Sequence, residues 1–188
     1  LLPGDLKDPA TSAEAVEQTI KAYGRLDIVV NNAAVQPHTS SIMDVSNEQL
    51  ENTFRTNVFP LFYMTKAALP YLQPGSSIIN TASRVAYEGE KSVIDYSAST
   101  GAVVSFTRTM SMSLVGRVNA VAPGPAWTPL TVSTYPAEHQ LTFGADLPMG
   151  RAAQPFEIAP AFVHLASDES AEVTGQVLHI NGGKIRYS

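Results

Sequence analysis

The sequence predicts an α/β domain wound on both faces of a parallel sheet, and three observations carry that expectation. Short apolar runs rich in β-branched residues alternate with longer stretches of helical periodicity. The runs at residues 26–30, 77–80, 118–122 and 176–180 are short and built around apolar residues, and 26–30, rich in β-branched residues, reads as a strand covered on both faces, as in a parallel sheet. Turn chemistry closes them, as in Asn31-Asn32-Ala33-Ala34, Pro123-Gly124-Pro125 and Asn181-Gly182-Gly183. The 188 residues suit a single domain with a substantial core.

The first residues, Leu1-Leu2-Pro3-Gly4-Asp5, lack an initiator Met and read as the end of a buried strand entering a turn, with sequence missing upstream. Helical spacing of Val16 and Ile20, with Gly24 as a stop, predicts a helix over 9–23. Residues 26–30 follow as a strand, then a polar loop to Asp44. Ser46 and Gln49 have the spacing of a capping box, and a long helix should run from there to about Leu72. Pro60 lies inside that helix and predicts a kink over 57–60. After the Gln73-Pro74-Gly75 turn come the strand 77–80, a loop to Asp95, a helix over 96–114 and the strand 118–122. Only Gly116 and Arg117 separate a helix reaching Val115 from a strand starting at Val118. That is the lower edge of the ~2–6 residues such connections take, and it reads as a place where residues are deleted. Residues 127–150, rich in Pro and Thr, read as a lid with short helical turns. Pro155 opens a helix to about Ser167, and 176–180 is the last strand.

Composition excludes several function classes. With 44% hydrophobic and 15% charged residues the chain is not disordered. A net charge of −5 with no Lys/Arg cluster argues against nucleic acid as a partner. No cysteine means no disulfide, no thiolate nucleophile and no cysteine metal site, and the four histidines lack metal-ligand spacing. No apolar run approaches the ~20 residues of a membrane span. A soluble, cytoplasmic protein with no membrane partner is the expectation.

Three polar residues stand beside predicted strand ends or helix starts, where open α/β sheets bind ligands. They are Asn57, Ser83 and Tyr96. Singly, each reads as a solvated, turn or packing residue. Together, and with Asn31-Asn32-Ala33-Ala34 and Pro123-Gly124, they form a set.

That set resembles the short-chain dehydrogenase/reductase family over essentially the whole chain. The carrying residues are Gly4-Asp5-Leu6, Asn31-Asn32-Ala33-Ala34, Thr56-Asn57-Val58, Ser83, Tyr96-Ser97-Ala98-Ser99-Thr100 and Pro123-Gly124-Pro125-Ala126-Trp127-Thr128. Tyr87-Glu88-Gly89 and Trp127-Thr128-Pro129-Leu130 are similar to its glucose/ribitol and general-stress branch. The resemblance implies a Rossmann-like fold, N-terminally incomplete here, and an NAD- or NADP-dependent oxidoreductase acting on an alcohol or carbonyl of a small substrate such as a sugar or polyol. It implies Tyr96 as general acid/base, Ser83 holding the substrate oxygen and Asn57 anchoring a relay water. It implies cofactor contacts at Asp5, Leu6, Asn32, Ala33, Ala34, Pro123, Gly124 and Thr128, and a homotetramer.

Two departures qualify this. The family pattern has Lys one helical turn after the Tyr, where Thr100 stands. An unassisted phenol, with a pKa near ~10, is only about 0.1% ionised at pH 7, and Lys91 and Arg84 are not expected on this helix face. Nothing matches the family's glycine-rich pyrophosphate turn either. The loss of a first strand-helix-strand would leave residues 26–30 as an exposed apolar edge. The alternative reading is therefore a non-catalytic member, a scaffold or binding protein of the same fold.

Overall fold

A computed structural model describes residues 1–114 and 116–184. Helix α1 (Pro9–Tyr23) has the expected bounds because both ends are capped. The Asp8 carboxylate accepts from the Ala10 amide at 2.9 Å, Pro9 opens the first turn, and Gly24 at φ 75° donates back to the Ile20 carbonyl at 2.8 Å. Strand β1 (Ile28–Asn31) follows. The predicted long helix is two helices, α2 (Asn47–Asn57) and α3 (Phe59–Ala68), broken at Val58 ahead of Pro60, with a 3₁₀ turn at Leu69–Tyr71. Only half of the capping box forms. Ser46 Oγ accepts from the Gln49 amide at 3.0 Å, while the Gln49 side chain reaches Asp95 instead.

Strand β2 (Ser77–Thr81) leads through the short helix α4 (Val85–Glu88), which sequence periodicity did not predict, into α5 (Ile94–Ser111) and strand β3 (Arg117–Pro123). Helix α5 ends at Ser111 rather than near Val115, so the reversal into the sheet has more chain than expected; Val115 lies outside the described residues. A glycine is needed in that reversal, since a Cβ on Gly116 would lie 2.7 Å from the Ser76 carbonyl oxygen. Helices α6 (Pro129–Thr134) and α7 (Ala137–Leu141) form within the predicted lid, then α8 (Pro155–Ala166) and strand β4 (Val177–Ile180) complete the described elements.

The four strands are parallel in the order β1-β2-β3-β4. Alternate side chains of β2 and β3 pack on opposite layers. Ile78, Val118, Ala120 and Ala122 meet α1, α3 and α5 through Val16, Ala68, Leu61 and Val103. Ile79 and Val121 meet Ile158, Ala161 and Leu165 of α8. Each buried Ile, Val or Leu contributes about 1.5–3 kcal/mol. The doubly wound α/β expectation therefore holds for these strands.

Two expectations are corrected. Residues 1–4 form no strand, and Leu1 and Leu2 are exposed. Strand β1 is covered on one face only. Val29 is buried, whereas Ile28 and Val30 are 45% and 49% exposed, because β1 is the edge of the sheet and α8 packs against β2, β3 and β4 instead. The exposed apolar edge foreseen for this segment is thus present. No helix among the described residues is long and apolar enough to cross a membrane.

Candidate active site

The carboxyl ends of β1, β2 and β3 open into a cavity of about 820 Å³. Its floor is made by Asn31, Thr81 and Pro123, the last residues of those strands, and α3, α5, α6 and α8 contribute its walls. Its size is that of a small-molecule site.

Ser83 leaves the end of β2 and Tyr96 sits in the first turn of α5, and both line the cavity. Helix α5 has no side-chain cap of its own. Its first turn is held by Asp95, buried beside Tyr96 in sequence, whose Oδ2 accepts from Thr53 Oγ1 at 2.7 Å and Gln49 Nε2 at 3.1 Å on α2. This fixes the angle at which Tyr96 enters. Tyr96 is 8% exposed, and the Ser83 hydroxyl is placed to hydrogen-bond its phenol. Burial pushes its pKa above the ordinary phenol value, while the Ser83 hydrogen bond and the charge of Arg84 pull the other way.

Asn57, at the end of α2, points across the break before α3. Its Oδ1 accepts from the Val35 amide at 2.8 Å, and its Nδ2 donates to the Val35 carbonyl at 2.9 Å and to Ser99 Oγ at 3.0 Å. Ser99 Oγ in turn donates to the Tyr96 carbonyl at 2.8 Å. Both amide hydrogens are therefore committed to protein partners. The side chain is a clamp tying the loop after β1 to the first turn of α5.

Thr100 is 3% exposed and lines the cavity, with its hydroxyl donating to the Ser97 carbonyl at 3.0 Å. It is no surface residue: the position one turn after Tyr96 faces the site and carries no charge there. Of the expected cofactor residues, Leu6, Asn32, Ala33, Ala34, Pro123, Gly124 and Thr128 all line the cavity. Asn32 Oδ1 accepts from Thr81 Oγ1 at 2.9 Å, and Thr128 caps α6. Asp5 is outside the lining, exposed, and turned onto Lys7, whose amide donates to it at 3.0 Å. Gly124 is required by packing, since a Cβ there would lie 2.7 Å from Asn181 Cα.

Among the lining residues that sequence reasoning did not assign to the site are the polar side chains of Gln36, Arg84 and Tyr135. Tyr135 ends α6 in the predicted lid; its hydroxyl accepts from Gln36 Nε2 at 3.1 Å, and its ring stacks on His139 with centroids 4.4 Å apart. Phe143 and His38 extend the same aromatic group. Arg84 follows Ser83 directly, the one signal that could have flagged it. Among the described residues no group of three or more His, Cys, Asp and Glu could hold a metal ion.

A family model described as enoyl-(acyl carrier protein) reductase matches residues 1–184. The chain is 57% identical over 187 residues to the uncharacterized oxidoreductase YhdF of Bacillus subtilis, covering 98% of this chain but 65% of YhdF. It is 47% identical over 194 residues to a glucose and ribitol dehydrogenase of Daucus carota, covering 96% of this chain and 67% of that protein. It therefore spans about two thirds of the length of these curated relatives. A solved short-chain dehydrogenase/reductase of the glucose/ribitol type from Brucella melitensis superposes with a TM-score of 0.90 at 31% identity, covering 98% of this chain and 75% of that one. A 3-ketoacyl-(acyl-carrier-protein) reductase from the same organism, complexed with NADH, gives 0.88 at 28% identity, covering 96% and 76%. The near-complete family match and the high identity to these oxidoreductases agree with the Ser83–Tyr96 geometry, and the chain belongs to the short-chain dehydrogenase/reductase family.

Proposed function

We propose that this chain belongs to an NAD- or NADP-dependent oxidoreductase that interconverts an alcohol and a carbonyl on a small molecule. The observation that carries the reading is that Ser83 and Tyr96 line one cavity at the strand carboxyl ends, with the Ser83 hydroxyl placed to hydrogen-bond the phenol. In the reducing direction the Tyr96 phenol gives its proton to the carbonyl oxygen, and in the oxidising direction it takes the hydroxyl proton. Ser83 holds the same oxygen beside the phenol. A bound nicotinamide supplies the hydride chemistry. The cavity fits such a group on this side: Ala33, Ala34 and Gly124 leave the strand ends unobstructed, and Asn32 and Thr128 offer polar contacts. The relative described as a glucose and ribitol dehydrogenase supports a sugar or polyol substrate. Assembly into a homotetramer belongs to the same reading; exposed apolar side chains such as Phe62 of α3 and Phe156 of α8 support it, and light scattering tests it.

Thr100 favours a second reading, a non-catalytic member of the family, because its buried hydroxyl is bonded to Ser97 and puts no cation beside the phenol. Nicotinamide turnover with a panel of alcohols, aldehydes, sugars and polyols decides, comparing this chain with its Thr100→Lys variant. A gain of about tenfold or more in the variant supports the oxidoreductase site. Absence of turnover in both supports the second reading.

A further inference from the structure

Tyr96 is a buried phenol, and its environment resists loss of the proton. Among the described residues lining its cavity, Arg84 alone is charged at neutral pH. Several independent features put that charge at work in the site. Arg84 sits between Ser83 and the start of α4, so its backbone is fixed by the same strand end that presents Ser83, and its amide donates to the Pro123 carbonyl at 3.0 Å. Its side chain is only 16% exposed. Two carboxylates hold the guanidinium: Nη1 donates to Glu88 Oε1 at 2.7 Å, and Nη2 lies 4.0 Å from Glu90 Oε2. Glu88 is in turn 3.6 Å from the ammonium of Lys184, which is 3.2 Å from Asp146 in the lid. The result is a row of alternating charge, Glu90, Arg84, Glu88, Lys184 and Asp146, in which Arg84 is the member on the cavity wall.

We propose that Arg84 is a positioning residue that acts through Tyr96, supplying the positive field at the phenol that Thr100 cannot. This deepens the oxidoreductase reading and rests on it for its purpose, although not for its test. Besides burial, three groups act on the phenol. Ser83 contributes a neutral hydroxyl, Tyr135 a second phenol from the lid, and Arg84 the one cation. Asp95, adjacent in sequence, turns its carboxylate toward Thr53 and Gln49 on α2. Glu90 acts on Tyr135, whose phenol is raised first by burial and then by that carboxylate, with Arg84 opposing. In a partly buried site a single charge of this kind changes an ionisation equilibrium severalfold.

The test needs neither cofactor nor substrate. Tyrosinate absorbance is followed against pH in the folded range, with circular dichroism as the fold control and Tyr96→Phe subtracted to isolate this phenol. Arg84→Met should lower the phenolate fraction of Tyr96 at a fixed alkaline pH about threefold or more, and Arg84→Lys should restore most of it. Glu90→Gln, which removes the carboxylate 4.0 Å from Arg84 Nη2 and so leaves more of the guanidinium charge uncompensated, should raise the fraction, and it serves as the second variant if Arg84→Met does not fold. An unchanged Tyr96 titration in Arg84→Met, or equal losses in the Met and Lys variants, overturns the proposal. A lack of nicotinamide turnover leaves this titration untouched, so failure of the oxidoreductase reading is distinguishable from failure of the Arg84 assignment.

Discussion

The two walls of the cavity are built by different physics. The wall of β2, α2 and α5 is held by buried and partly buried hydrogen bonds: Asn57 to Val35 and Ser99, Ser99 to the Tyr96 carbonyl, and Asp95 to Thr53 and Gln49. Such bonds are costly to leave half-made and rigidify what they join. The lid wall of α6, α7 and the segment after them is held by ring contacts. Tyr135, His139, Phe143 and Trp127 touch one another, and Thr134 Oγ1 and the Tyr135 hydroxyl are its ties to Gln36. Ring contacts are tolerant of sliding. On the proposed reading, bonds of the first kind suit the wall that holds the proton-transfer group, and contacts of the second kind suit the wall that admits substrate.

The comparison can be broken from either side. The largest effect is expected at the sheet beneath the rigid wall: Ile79→Ala, at a fully buried position against α8, should cost about 2–5 kcal/mol in denaturant unfolding. A loss under 1 kcal/mol would mean that α8 does not pack on β2 as described. Next is Asn57→Ala, which leaves the Val35 amide and carbonyl without their partner and should cost about 2–3 kcal/mol. Faster hydrogen exchange at Val35 would accompany it, and unchanged exchange would contradict the clamp. Phe143→Ala removes a lid ring and should cost only about 1 kcal/mol globally. Its signature is local: emission of Trp127, the single tryptophan, should shift to the red as the lid loosens. The smallest effect lies outside both walls. Arg151 holds the Glu157 carboxyl down to about 2, with help from the Gln154 amide. A depressed carboxylate stabilises above its unfolded value and loses that contribution as pH falls toward about 2. Glu157→Gln should therefore lower the melting temperature by about 1 °C at pH 7, with the difference shrinking through the acid range.

The same contrast decides what could be read from residues alone. Helix α1 was legible to its ends because Asp8, Pro9 and Gly24 are local signals. Strands β2 and β3 were legible because short runs built around apolar residues lie between helical stretches and turn signals, and β1 carries such a run while one face stays open, since coverage depends on neighbours that the run does not encode. Ser83 and Tyr96 were legible as a set. Arg84 was not, because its aim at the cavity depends on the short helix α4 and on Glu88 and Glu90 turning it. The lid contacts were not, because Gln36 and Tyr135 meet only once the sheet has folded.

The central claim is that proton transfer belongs to the rigid wall and selection to the lid. The most direct measurement compares steady-state kinetics of Tyr96→Phe and Tyr135→Phe, in whichever of the parent chain and its Thr100→Lys variant turns over faster. The account predicts that Tyr96→Phe loses about 10²–10⁴ in kcat, while Tyr135→Phe keeps kcat within about threefold and changes KM. Turnover that survives in Tyr96→Phe, or falls as far in Tyr135→Phe, would contradict it.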